Sequence, residues 1–181
     1  MYQNKTMRAE LKNAVTKPDH ILGIKSLPIE LLEYGDYQCP SCGDSFMVVN
    51  KILRELANRV VFVFRNFPLT DRHPDAFDAS LAAEAAGLQN KFWEMYDLLF
   101  QHQAQLSVYQ LFTYAKEIGL NMERFKKDIQ SPALASKIEA DIESGLKSGV
   151  NGTPTFYING EKYEGDWQGD GLLQHMKSLL L

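Results

Sequence analysis

Two apolar runs separated by one helix-length segment constrain this chain most. The stretch IELLEYG, Ile29–Gly35, is short, apolar and closed by glycine, and reads as a buried strand. The stretch RVVFVFRNFP, residues 59–68, is β-branched and aromatic and is stopped by Pro68. Between them, Pro40 to about Asn58 sets Phe46, Val49, Ile52, Leu53 and Leu56 on one side of a helix. Two strands joined by a helix predict a βαβ unit with parallel strands and a right-handed crossover.

The rest of the chain divides around that unit. Residues 71–149 read as helical. An alanine-rich segment has Pro74 suited to a helix start and Gly87 to a stop. Apolar stripes follow at Phe92, Met95, Tyr96 and Leu99, and at Leu111, Tyr114, Ala115 and Ile118, the latter with Gly119 placed as a C-terminal cap. Leu134, Ile138, Ile142 and Leu146 mark a last helix ending at Gly145 or Gly149. These stripes are read as core packing between helices. Downstream, TFYI and KYEG read as strands around Asn159–Gly160, the strongest short hairpin signal, and a terminal helix spans Gly171–Leu181. The expected architecture is α/β: one mixed sheet flanked by helices, built from residues 20–70 and 150–181, with 71–149 inserted as a helical subdomain.

The 181 residues are 45% hydrophobic and 23% charged, enough for one domain with a real core. The net charge of −4 is spread without a basic run, which argues against nucleic acid or an anionic membrane surface as partner. No run reaches the roughly 18 apolar residues of a membrane-spanning helix. The first residues hold no apolar signal-peptide core, so the expected location is the cytoplasm, or the periplasm for a protein whose leader has been removed.

The only two cysteines are Cys39 and Cys42, in GDYQCPSCG. A disulfide closing so small a loop constrains the unfolded chain little, so a structural staple is a poor reason for the pair. A zinc site wants four ligands, and the four histidines are scattered without pairing, so no metal is expected. Reversible thiol–disulfide exchange remains, and it needs no cofactor. The pair sits where a strand hands over to a helix. Pro40 is pre-set for the first helical turn. The helix N-terminus favours a thiolate at Cys39, which makes it nucleophile and leaving group, and Cys42, one turn later, can resolve a mixed disulfide.

With these segments in place, the chain resembles the DsbA-like branch of the thioredoxin superfamily, in the cytoplasmic type also found appended to sodium/proton antiporters. LLEYGDYQCPSCG is similar to that family's active-site segment and GVNGTPTFYING to its second signature, with FVFRNFPL and the helical segments between them in consistent order. Unaided, Pro154 reads as a trans proline in a turn before a strand. The resemblance instead implies a cis Thr153–Pro154 bond facing the cysteines, with Thr153 offering backbone hydrogen bonds to an extended substrate.

The resemblance further implies that Glu33 is a buried acid serving as proton shuttle for Cys42. The alternative for Glu33 is an edge carboxylate paired with a base such as Arg65. Pro40 and Ser41 are implied to meet substrate and to tune the couple. Ser41 brings no charge, so a couple less oxidising than the strongest periplasmic oxidants is expected. Asp36 and Tyr37 are expected to shape the loop, and Trp93 or Tyr96 to pack in the core rather than bind substrate.

The implied activity is a protein thiol–disulfide oxidoreductase. It would act as a monomer on protein or peptide thiols and disulfides and be recycled by a redox partner protein or small thiol. Oxidase, reductase and isomerase directions stay open. The competing reading is a peptide-binding, chaperone-like module with incidental redox activity.

Overall fold

The computed structural model describes residues 9–181. Its centre is the expected strand pair. β2 (Ile29–Gly35) and β3 (Val60–Asn66) run parallel, from Ile29 opposite Val60 to Gly35 opposite Asn66. β3 is buried throughout and β2 everywhere except Glu30, as a parallel pair covered on both faces requires. α1 (Pro40–Glu55) connects them. It stops short of Asn58 because the chain reverses there, with Asn58 at φ 63°.

Three further strands complete one sheet. β1 (His20–Leu22) lies antiparallel to β3, β4 (Thr155–Ile158) antiparallel to β2, and β5 (Glu161–Lys162) antiparallel to β4, giving the order β1-β3-β2-β4-β5. The hairpin turn is Asn159–Gly160, both at positive φ, 50° and 82°. A two-residue turn forces Ile158 opposite Glu161, so β5 starts directly after Gly160. The expected strand KYEG therefore falls too late by one residue at its start, and it ends early, at Lys162.

Five helices are inserted between β3 and β4: α2 (Ala76–Gly87), α3 (Phe92–Gln101), α4 (Val108–Glu117), α5 (Met122–Asp128) and α6 (Pro132–Ser148). α7 (Gly171–Ser178) closes the chain, ending before the expected Leu181. Gly119 and Gly149 take left-handed φ of 76° and 88° just past α4 and α6, as expected of glycines at helix ends. α5 is an element beyond the expected set. Its start is fixed by Asn121, whose side chain accepts a hydrogen bond from Arg124 N.

The two sheet faces are packed differently. Ile29, Leu31, Phe62, Phe64, Phe156 and Ile158 join the large cluster with α1, α3 and α7. Rings of Tyr37, Phe46, Phe62, Phe64, Phe92, Tyr96 and Phe100 meet there at centroid distances of 4.9–6.4 Å. Tyr96, 3% exposed, is thus core, and Trp93 packs partly buried beside it.

The opposite face, Leu32, Tyr34, Val63 and Tyr157, is covered by α6 and the leading segment through Leu11 and Val15. Here α6 departs from expectation. Leu146 is 61% exposed, and Ser144, Gly145 and Ser148 turn inward instead. A Cβ on Gly145 would lie 2.8 Å from the Phe67 ring, so only glycine allows that approach.

Arg65 also belongs to this face, because strand alternation sets it beside its register partner Tyr34 and away from Glu33. Its guanidinium, 3% exposed as a residue, grips Asp19 at 2.7 and 3.0 Å, and also donates to Tyr34 Oη, Asn13 O and Ala14 O. The expected alternative partner of Glu33 is therefore committed elsewhere. No helix of the described residues is long and apolar enough to cross a membrane.

Candidate redox site

The β2–α1 connection carries both cysteines. Cys39 is the N-cap of α1, extended at φ −71° and ψ 121°, and Pro40 occupies the first helical position. Cys39 O accepts from Cys42 N at 3.0 Å and Gly43 N at 3.2 Å, so the helix starts at the first thiol. Cys39 keeps 7% of its surface in solvent, and Cys42 keeps none. Pro40 and Ser41 lie exposed beside Cys39.

The two thiols are electrostatically unlike. The Cys39 pKa is held down to about 5. The largest cause is a hydrogen bond from the Cys42 side chain; burial opposes it, and Thr153 and the Cys42 and Ser41 backbone groups help. Helix-end N–H groups contribute, but the neighbouring thiol contributes more. Burial, the hydrogen bond to Cys39 and the charges of Glu33 and Cys39 push Cys42 well above the usual thiol range.

The second half of the site comes from the chain's far end. β4 pairs with β2, placing Thr155 opposite Tyr34. The residues just before β4 therefore lie beside those just after β2. Thr153 O is 3.4 Å from Cys39 Sγ, and the Thr153–Pro154 bond is cis. Thr153 Oγ1 is buried with no hydrogen-bond partner among the described residues.

Beneath the pair lies Glu33, 1% exposed. Ser45 Oγ, on α1, bonds Glu33 Oε1 at 2.8 Å and Cys42 O at 3.0 Å. Oε2 is buried and has no hydrogen-bond partner among the described residues. Burial lifts the Glu33 pKa to about 8; Ser45 opposes the rise and Cys39 adds to it.

One residue expected only to shape the loop, and several that sequence reasoning did not single out, complete the site. Asp36, fully buried, accepts from Gln38 N and Cys39 N on Oδ1 (2.7 and 3.2 Å) and from Leu69 N and His73 Nδ1 on Oδ2 (2.8 and 2.7 Å). Its own N–H points at Cys42 Sγ, 3.4 Å away. Gln38 and Asp75 exchange two hydrogen bonds, 2.8 and 2.9 Å. Gln103 Nε2, from the α3–α4 connection, donates to Tyr37 O and Cys39 O at 2.8 and 2.9 Å. Asp36 was legible only as a loop former. His73 and Gln103 carry no local signal, because both reach the loop from distant connections.

One acidic, reachable thiol and one buried thiol that resists ionisation thus share the start of a helix, with a second loop set against the first thiol.

The comparisons fit this arrangement. Residues 15–177 match the family model described as thioredoxin. The chain is 40% identical over 154 residues to the Na(+)/H(+) antiporter NhaA 1 of Salinispora arenicola, covering 85% of this chain and 24% of that protein. It spans about a quarter of the length of the curated relatives it matches. Among solved structures, oxidised BdbD from Bacillus subtilis superposes with a TM-score of 0.79 at 25% identity, covering 90% of this chain and 93% of that one. A thioredoxin-like oxidoreductase from Silicibacter pomeroyi also gives 0.79, at 24% identity, covering 90% and 92%. The chain belongs to the thioredoxin family and carries its fold in the DsbA-like form, with the helices α2–α6 inserted into the sheet.

Proposed function

We propose that the protein is a thiol–disulfide oxidoreductase acting on protein or peptide substrates through Cys39 and Cys42. The observation that carries this reading is the contrast between the thiols: Cys39 is reachable with a pKa held to about 5, while Cys42 is sealed and pushed well above the usual range.

In the reducing direction the Cys39 thiolate attacks a substrate disulfide. One substrate sulfur leaves as thiolate and a mixed disulfide forms. Cys39 has then lost its negative charge, which had raised both Glu33 and Cys42. Glu33 then releases its own proton to solvent, and the carboxylate so formed accepts the Cys42 proton on Oε2, which has no hydrogen-bond partner among the described residues. Cys42 attacks Cys39 Sγ, expels the second substrate thiolate, and leaves a Cys39–Cys42 disulfide. Two electrons have passed to the substrate, and the reverse sequence oxidises a dithiol. Thr153 and Pro154, with the exposed Pro40 and Ser41, would line the edge where an extended peptide meets Cys39. A redox partner protein or small thiol would reset the pair, with the protein working as a monomer.

Cys42→Ser should accumulate mixed disulfides on Cys39 when offered disulfide-bonded insulin or oxidised glutathione, and Cys39→Ser should abolish exchange. A Cys39→Ser protein that still catalyses exchange would overturn the reading. Undiminished suppression of aggregation by Cys39→Ser, with no exchange from the unmutated protein, would favour a peptide-holding module.

A further inference from the structure

Asp36 ties the β3–α2 connection to the cysteine loop through hydrogen bonds accepted on both its oxygens. Three of its four donors are backbone N–H groups, whose charge never changes. The fourth is His73 Nδ1, at 2.7 Å. An acceptor-only carboxylate fixes the imidazole proton on Nδ1, so Nε2 gains or loses the second proton. The His73 side chain is 17% exposed while that of Asp36 is wholly buried, so the ring joins solvent to the floor of the loop.

We infer that His73 is a positioning residue for thiol–disulfide exchange, linking its own protonation through Asp36 to the charge on Cys39. This rests on the exchange reading above.

With His73 protonated, Asp36 and His73 form a neutral pair. With His73 neutral, Asp36 leaves a net negative charge whose oxygen holds Cys39 N and whose N–H faces Cys42 Sγ. A negative charge so placed opposes the Cys39 thiolate. Reduction of the disulfide creates that thiolate, so reduction and proton uptake by His73 favour each other, by reciprocity of linked binding.

The other charged groups around the ring do not duplicate this role. Asp75, on the same connection, is engaged by Gln38, and Asp71 and Arg72 are exposed. On the β2–α1 side the other buried carboxyl and thiol groups are Glu33, Cys39 and Cys42. Glu33 bonds Ser45, so it reaches the pair from beneath rather than through the loop.

The test is the equilibrium with glutathione at a series of pH values from 5.5 to 8.5, for the unmutated protein and His73→Gln. Glutamine can still donate to Asp36 but carries no titrating charge. The unmutated protein should hold its reduced form about fivefold more strongly than the variant at pH 5.5, with the ratio shrinking to within twofold at pH 8.5. A fivefold ratio constant across pH would mean a purely structural role and would overturn the inference, as would no difference at any pH.

Should the variant not fold, the imidazole of the unmutated protein can be titrated by NMR in both redox states. A higher midpoint in the reduced protein supports the linkage, and equal midpoints overturn it. An unmutated protein that never equilibrates with glutathione overturns the exchange reading and this inference with it. One that equilibrates normally, but with a pH-invariant ratio to the variant, overturns this inference alone.

Discussion

The floor under Cys42 and the loop ahead of Cys39 each hold a buried carboxyl, and the two are treated in opposite ways. Asp36 has a donor for every direction in which its oxygens accept: three backbone N–H groups and an imidazole. Glu33 has one hydroxyl, and its second oxygen faces no partner among the described residues. Burial therefore lifts Glu33 to about 8. The comparison teaches that burial alone does not decide what an acid does. A saturated carboxyl fixes backbone, and an under-satisfied one is left able to trade a proton.

The most forceful way to break that contrast is to remove the saturated member. Asp36→Ala leaves the Gln38, Cys39 and Leu69 N–H groups without their acceptor. We expect a loss of about 3–5 kcal/mol, read as a lower urea midpoint.

Glu33→Gln tests the other side, and its sign is reversed. A folded pKa of about 8 against an ordinary 4.5 means the native state holds a proton that the unfolded state has released. The stability of the unmutated protein from this group is full below about 4.5 and falls as pH rises towards 8. The glutamine variant should match it near pH 4 and exceed it by up to roughly 5 kcal/mol well above pH 8, while exchanging disulfides more slowly. A variant no more stable at pH 9 than at pH 4, relative to the unmutated protein, would remove the buried-acid account.

The mildest test is Gly43→Ala. A Cβ there would run into the Gln103 side-chain amide, which must move and release Tyr37 O and Cys39 O. We expect about 1 kcal/mol of destabilisation and a measurable rise in the midpoint for Cys39 alkylation, which the unmutated protein should show near pH 5.

Legibility from sequence followed the range of the interactions. The β2–α1–β3 unit and the Asn159–Gly160 turn are local patterns, and the structure has them where periodicity and turn chemistry put them. β1, three residues long, and α5, seven, are too short to show a period. The face of α6 was misread at Leu146 because the helix buries Gly145 and Ser144 against Phe67 and Tyr34, and close backbone approach leaves no hydrophobic signature. At the site, the cysteine pair announced itself, while Glu33 needed a family resemblance to be noticed. His73 and Gln103 could not have been placed, since a loop residue's contact across 37 or 64 positions leaves no trace in one sequence.

The Arg65 grip on the leading segment has a mechanical side. Ala9 O and Leu11 N are tied to the β5 hairpin by single backbone bonds, to Lys162 N and Gly160 O. Tension drawn from that end would peel these one at a time. At Asn13, Ala14 and Asp19 the load would meet four Arg65 hydrogen bonds together, in shear. Force on the leading segment would thus be taken up by β3 on the face opposite Glu33, leaving the cysteine loop as the unloaded side of the sheet.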